Sequence, residues 1–322
     1  MKTKKFLNNI KSRKGYFLGL ATGLLITILV LKLVPLLLVK SQTISYTLPF
    51  LKKQPTLTPD PVKQQEEITK SVFPDKVNLQ VSYGDVIVKM VQYGAIDKEK
   101  FFKLYEGRGG LTEDEKKLFE SSSDEPIIVN QQNANLILNL LWPLGIANQT
   151  NVLAEGPMGT QYKKEVGNFA STGGWTLGKE PGGSLFNKYP ILPLSSDEEK
   201  IVTEIAQNIY RPCCGNSTYF PDCNHGAAML GFIEIAVKQE MSKEDIYKKA
   251  LALNSYWFPQ TYAELGIYFK QKKNISWDKV DAKLVLGIDY SSGQGYRVIN
   301  KELQTEGLLP KVEGGGGCGV ID

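Results

Sequence analysis

Histidine is almost missing from this chain of 322 residues: there is one, His225, and there are only four cysteines. A single imidazole leaves one base for a Ser/His/Asp hydrolase, and no G-x-S-x-G occurs, so hydrolase chemistry is an unattractive reading. An excess of either charge is also missing from most of the chain. The net charge of +4 comes largely from the first twenty residues, where Lys2, Lys4, Lys5, Lys11, Arg13 and Lys14 stand without an acid. The remainder is near neutral and carries no electrostatic footprint for nucleic acid. The glycine turns GRGG (Gly107–Gly110) and GQGYR (Gly293–Arg297) lack the strand and helix setting that phosphate loops need.

One long apolar run is present. From Tyr16 to Val39 only two threonines and Lys32 interrupt it, and it is long enough to span a bilayer. It continues through Leu36–Val39 without a small-x-small cleavage site, which favours a retained signal anchor over a cleaved signal peptide. Six basic residues precede the span, so the positive-inside rule puts residues 1–15 in the cytoplasm and the bulk of the chain outside. The expected organisation is a cytoplasmic basic segment (1–15), a transmembrane anchor (16–39), a Pro-rich stalk (40–75), a helical domain (76–310) and a Gly-rich tail (311–322) containing Cys318. The stalk rests on Pro49, Pro55, Pro59, Pro61 and Pro74, which a regular helix or central strand does not accommodate.

Beyond the stalk the apolar spacing is mostly helical, so the predicted fold class is mainly α. Short helices are expected from Val86 to Gly94 and from Asp97 to Gly107. Thr112 with Glu115, and Ser196 with Glu199, read as capping boxes. The segment Asn133–Ala147 is too short for a second span and is broken by Pro143, so it reads as a buried core helix. Residues 155–193 read as a long glycine-rich loop that Phe169 and Trp175 tie down by packing. Helices are expected again at Gly226–Glu240 and, capped by Ser242, at Ser242–Leu253. Only VNLQV at Val77 and KLVLGIDY at Lys283 have strand character. Asn148, Asn216 and Asn274 begin N-x-[ST] triplets.

Cys213, Cys214, Cys223 and His225 fall within thirteen residues, at a junction where Pro212 and Gly215 force a loop and Asp222 or Asn224 is placed to cap the next helix. Sulfurs and an imidazole converging on a helix start suit a soft or borderline ion, zinc or copper(I). Backbone donors at that helix start favour a thiolate at Cys223. Neighbouring cysteines sit about 3.8 Å apart at Cα, too close for a comfortable disulfide, so each is expected to face a different partner. Cys318, after four glycines, is the natural fifth member, as a ligand, a resolving thiol or a staple. Three tasks therefore stand open: metal binding through Cys213, Cys214, Cys223, His225 and Cys318; thiol redox work with a partner protein; and structural disulfides, Cys214 to Cys223 and Cys213 to Cys318, in an envelope interaction module.

On the blocks CCGN (Cys213–Asn216) and DCNHG (Asp222–Gly226) the chain resembles a bacterial membrane-anchored family of unassigned task, which implies a shared site. Over Pro212–Lys249, fewer than 40 residues, it resembles the PCYCGC-motif lipoproteins and, more distantly, the thiol subunit of cytochrome c maturation. The chain has PCC where those have PCYC and CxxC, so the maturation subunit's reducing activity does not carry over.

Overall fold

A computed structural model describes residues 61–309 of the chain. The basic segment 1–15, the anchor 16–39, the stalk up to residue 60 and the tail with Cys318 lie outside the described residues. Among the described residues no helix is long and apolar enough to cross a membrane.

The described part is mainly helical, as expected. The stalk reading does not hold to residue 75, because Pro61–Val72 forms helix α1. Proline is tolerated there since the first turn of a helix has no use for its missing N–H. Ile68 and Val72 of α1 are buried, and their side chains lie against Gly266, where a Cβ would come within 2.6 Å of Val72.

Strand β1 (Val77–Gly84) pairs antiparallel with β2 (Ser123–Val129), and the register shifts on both sides of Ser82. The second strand escapes sequence reading because Asp124, Glu125 and Pro126 break its alternation; only Ile127 and Val129 face the core. Between the strands run α2 (Val86–Tyr93), closed by Gly94 in the left-handed region, then α3 (Lys98–Glu106), capped by Asp97, and α4 (Glu113–Lys117), with both halves of the Thr112/Glu115 capping box formed.

Helix α5 (Ala134–Leu141) and the single turn α6 (Leu144–Ala147), separated by Pro143, are buried as their uniform apolarity requires. After α7 (Asn151–Glu155), the glycine-rich stretch is built of turns with a 3-10 turn at Val166–Asn168 and one short α-helix, α8 (Gly182–Leu185), and Trp175 is its buried anchor. The capping box of α9 (Ser196–Asn208) sits one residue earlier than expected: Ser195 and Glu198 form it, not Ser196 and Glu199. Glu199 instead accepts the Asn151 N–H at 2.9 Å.

Helix α10 (Asn224–Lys238) is the axis of the domain, and every residue from Gly226 to Val237 is buried. It approaches α5 and α6 at backbone distance. A Cβ on Gly145 would fall into the Ala227 carbonyl, and one on Gly231 would lie 2.5 Å from that of Leu141. Helices α11 (Lys243–Trp257), capped by Ser242, and α12 (Pro259–Lys272) pack beside it. KLVLGIDY is not a strand: it forms the single turns α13 (Ala282–Val285) and α14 (Ile288–Ser291), since Asp281 caps the first and Gly287 separates the two. GQGYR opens the last helix, α15 (Gly293–Thr305), under a Ser292 cap.

A carboxyl group is sealed inside this core. Glu234 of α10 is fully buried; one carboxyl oxygen accepts the Asn148 amide at 2.9 Å, and the other has no hydrogen-bond partner among the described residues. Asn148 also exchanges bonds with the Leu192 backbone, so the first N-x-[ST] triplet is inaccessible in the folded chain. Burial holds the Glu234 proton well above the ordinary carboxylate value of 4.5; the Asn148 bond opposes this and Glu199 adds to it. The unfolded chain therefore releases this proton first as pH rises, so the contribution to stability is full below about pH 4.5 and is lost as pH rises towards the folded value. Glu234→Gln is expected to flatten the pH dependence of stability above pH 4.5 and to be the more stable form at neutral pH. Urea midpoints across that range check this, and parallel curves for the two proteins would refute it.

Candidate metal and thiol centre

The site begins where α9 ends. Ile209 and Tyr210 run extended, and an antiparallel bridge pairs Tyr210 with Ser217, with the Thr218 N–H donating to Ile209 at 2.8 Å. That bridge closes residues 211–216 into a loop. Distant elements fix its position: the Tyr210 N–H donates to Leu286, the Asn254 amide to the Tyr210 carbonyl, and the Gly293 N–H to the Cys214 carbonyl at 2.8 Å. From the glycine-rich stretch, the Ser171 N–H donates to Asp222 at 3.0 Å.

Arg211 is the centre of the loop, a residue that sequence reasoning passed over. It is 1% exposed, and its guanidinium satisfies four acceptors at once. Nε donates to Cys223 Sγ at 3.0 Å, while the terminal nitrogens donate to the carbonyls of Asn216 (3.2 Å) and Phe220 (2.8 Å) and to Asp222 Oδ1. The Asn216 amide takes the other Asp222 oxygen at 2.9 Å. Burial opposes the Arg211 charge, but the sulfur of Cys223 and the Asp222 carboxylate beside it outweigh burial and hold its proton more tightly than usual. A buried charge of this kind persists only when paired and fully hydrogen-bonded. The one available signal in the sequence was its place beside Pro212 in a loop otherwise without a basic residue.

Cys223, not Asp222 or Asn224, caps α10: its sulfur accepts the Gly226 N–H at 3.4 Å. The neighbouring Cys213 and Cys214 thiols hold Cys223 well below the usual thiol value; burial opposes this, and Arg211 and His225 reinforce it. Cys214 and Cys223 push Cys213 up; at Cys214 the bond with Cys213 lowers the value, but Cys223 and burial outweigh it and push it up. Of the three sulfurs, Cys223 is thus the one that its neighbours favour as a thiolate.

Gly226 explains the last letter of DCNHG. A Cβ there would lie 2.6 Å from the Arg211 guanidinium carbon, so only glycine lets the cation reach across the helix start to Cys223. Gly226→Ala is expected to destabilise the domain by about 1–3 kcal/mol through overpacking, even though alanine favours a helix interior by up to about 1 kcal/mol. Urea denaturation measures the change, and an unchanged or higher midpoint would show that the guanidinium yields freely.

The structure brings together some of the expected ligands and separates others. Cys213 Sγ lies 3.5 Å from Cys223 Sγ, and ligand atoms of Cys213, Cys223 and His225 all lie within 4.8 Å of one another. His225 packs against Phe258, with ring centroids 4.4 Å apart, and near Trp257. Cys214 turns the other way and forms a second group with Asp222 and Cys223, its sulfur 4.0 Å from Asp222 Oδ1. The vicinal cysteines thus face different partners. Among the described residues Cys213, Cys214 and Cys223 form no disulfide with one another, so the Cys214–Cys223 bond is not formed here. Cys318 lies outside the described residues. A set of two sulfurs and one imidazole at these separations could hold a metal ion.

No family model, curated protein or solved structure matches the chain.

Proposed function

We propose that the chain is a membrane-anchored, extracytoplasmic protein that binds a soft or borderline metal ion, zinc or copper, through its Cys/His cluster. The observation that carries this reading is the convergence of Cys213, Cys223 and His225. A tetrahedral ion with metal–sulfur bonds of about 2.3 Å places two sulfurs about 3.8 Å apart, close to the 3.5 Å between Cys213 and Cys223. The N–H groups of Arg211 and Gly226 aimed at Cys223 Sγ are the outer partners a metal-bound thiolate uses. The anchor and the orientation rest on the apolar run 16–39 and its basic flank.

A second reading, thiol-disulfide exchange with a partner protein, draws on the same pair. A thiolate at Cys223, set beside a neutral and exposed Cys213, is the arrangement of a dithiol one bond away from a disulfide. Metal analysis and thiol counting on the purified soluble region, residues 42–322, separate the readings. Metal binding gives about one ion per chain with thiols that chelation exposes; exchange gives labile thiols and no ion; permanently oxidised cysteines defeat both. For the anchor, a reporter fused after Asp322 is expected to be active only outside the cytoplasm. Cleavage near Val39 would overturn the anchor.

A further inference from the structure

We propose that this centre takes a soft monovalent ion, copper(I), in a three-donor setting of Cys213, Cys223 and His225, with the Arg211–Asp222 pair disfavouring a dication. The inference rests on the reading that the cluster binds metal and names the ion.

Donor supply is the first argument. Cys213, Cys223 and His225 converge in one group, while Cys214 and Asp222 form a second group with the same Cys223. Both Asp222 oxygens already accept hydrogen bonds, one from Arg211 and one from Asn216, so coordination by this carboxylate would compete with its ion pair. Cys214 Sγ is directed at that same carboxylate. The group that contains the imidazole is two sulfurs and a nitrogen, without a hard oxygen. Structural zinc asks for four protein ligands, whereas copper(I) is content with fewer, softer donors.

Charge is the second argument. The full charge closest to the ligand sulfurs is positive: Arg211 Nε touches Cys223 Sγ at 3.0 Å, while the nearest sulfur contact of Asp222 is with Cys214 at 4.0 Å. Coulomb repulsion from a fixed cation doubles when the bound ion carries two charges instead of one. Asp222 offsets part of that field, which makes it the residue that tunes the preference. Access is through Cys213, which is exposed, while Cys223 and His225 are half-buried behind it.

The test is a competition on residues 42–322, fully reduced and free of oxygen, with copper(I) supplied as its bicinchoninate complex and zinc in tenfold excess. One copper(I) per chain is expected to be retained, and X-ray absorption at the copper edge is expected to report two sulfur neighbours and one nitrogen. Asp222→Asn, which keeps the shape and leaves Arg211 unopposed, is expected to raise the ratio of copper(I) to zinc affinity by roughly tenfold or more. Zinc displacing copper(I), a third sulfur on the copper, or an unchanged ratio in Asp222→Asn would each overturn the proposal while leaving a metal site in place. Binding of neither ion would instead remove the metal reading on which it rests.

Discussion

Arg211→Met is expected to destabilise the folded domain by about 3–5 kcal/mol, the usual cost of removing one partner from a buried ion pair. Methionine fills a comparable volume but donates nothing. Asp222 loses its countercharge, the carbonyls of Asn216 and Phe220 lose a donor each, and Cys223 loses the Nε–H bond. Exposed ion pairs in the same protein, such as Lys117 with Asp114, offer a contrast. Breaking that pair is expected to leave stability almost unchanged, because water and salt screen it. Denaturant unfolding of both variants beside the parent measures the difference. If Arg211→Met costs no more than Lys117→Met, the guanidinium is not holding the loop and the account of its burial is wrong.

The second large effect concerns Cys223, whose sulfur has three tasks: cap of α10, acceptor for Arg211, and the donor atom common to both candidate ligand groups. Cys223→Ala is expected to abolish metal retention altogether, with a loss of stability on the order of 1 kcal/mol from the cap. The helix itself is expected to survive, because its buried face from Ala227 to Val237 owes nothing to that sulfur. His225→Ala should also release the ion, with a smaller stability cost, since the imidazole is half-exposed and its described packing is against Phe258 and Trp257. Metal content after gel filtration, read with circular dichroism, checks both variants. Retention of a full equivalent by both would falsify the assignment of Cys223 and His225 as ligands.

The helix boundaries that were legible in the sequence are those written in consecutive residues. Asp97, Thr112 and Ser242 cap helices because a side chain two or three residues from an unpaired N–H reaches it whatever the rest of the chain does. The clustering of Cys213, Cys214, Cys223 and His225 is legible for the same reason, and so is the ban on a bond between the vicinal pair, which follows from the length of one peptide unit.

Tertiary structure decided which of these residues meet. Cys213 turns to Cys223 and Cys214 to Asp222 because the loop is held by Leu286, Asn254, Gly293 and Ser171, all at least 37 residues away in sequence. No local pattern encodes that closure. Burial of Arg211 was illegible because arginine in a loop is ordinarily solvated, and only the joint presence of Asp222, two carbonyls, a thiolate and the bare Cα of Gly226 makes its desolvation tolerable. The same holds for α1 and β2, where Pro61 and Pro126 argue locally against regular structure: burial of Ile68, Val72, Ile127 and Val129 outweighs that preference, and burial belongs to the folded chain as a whole.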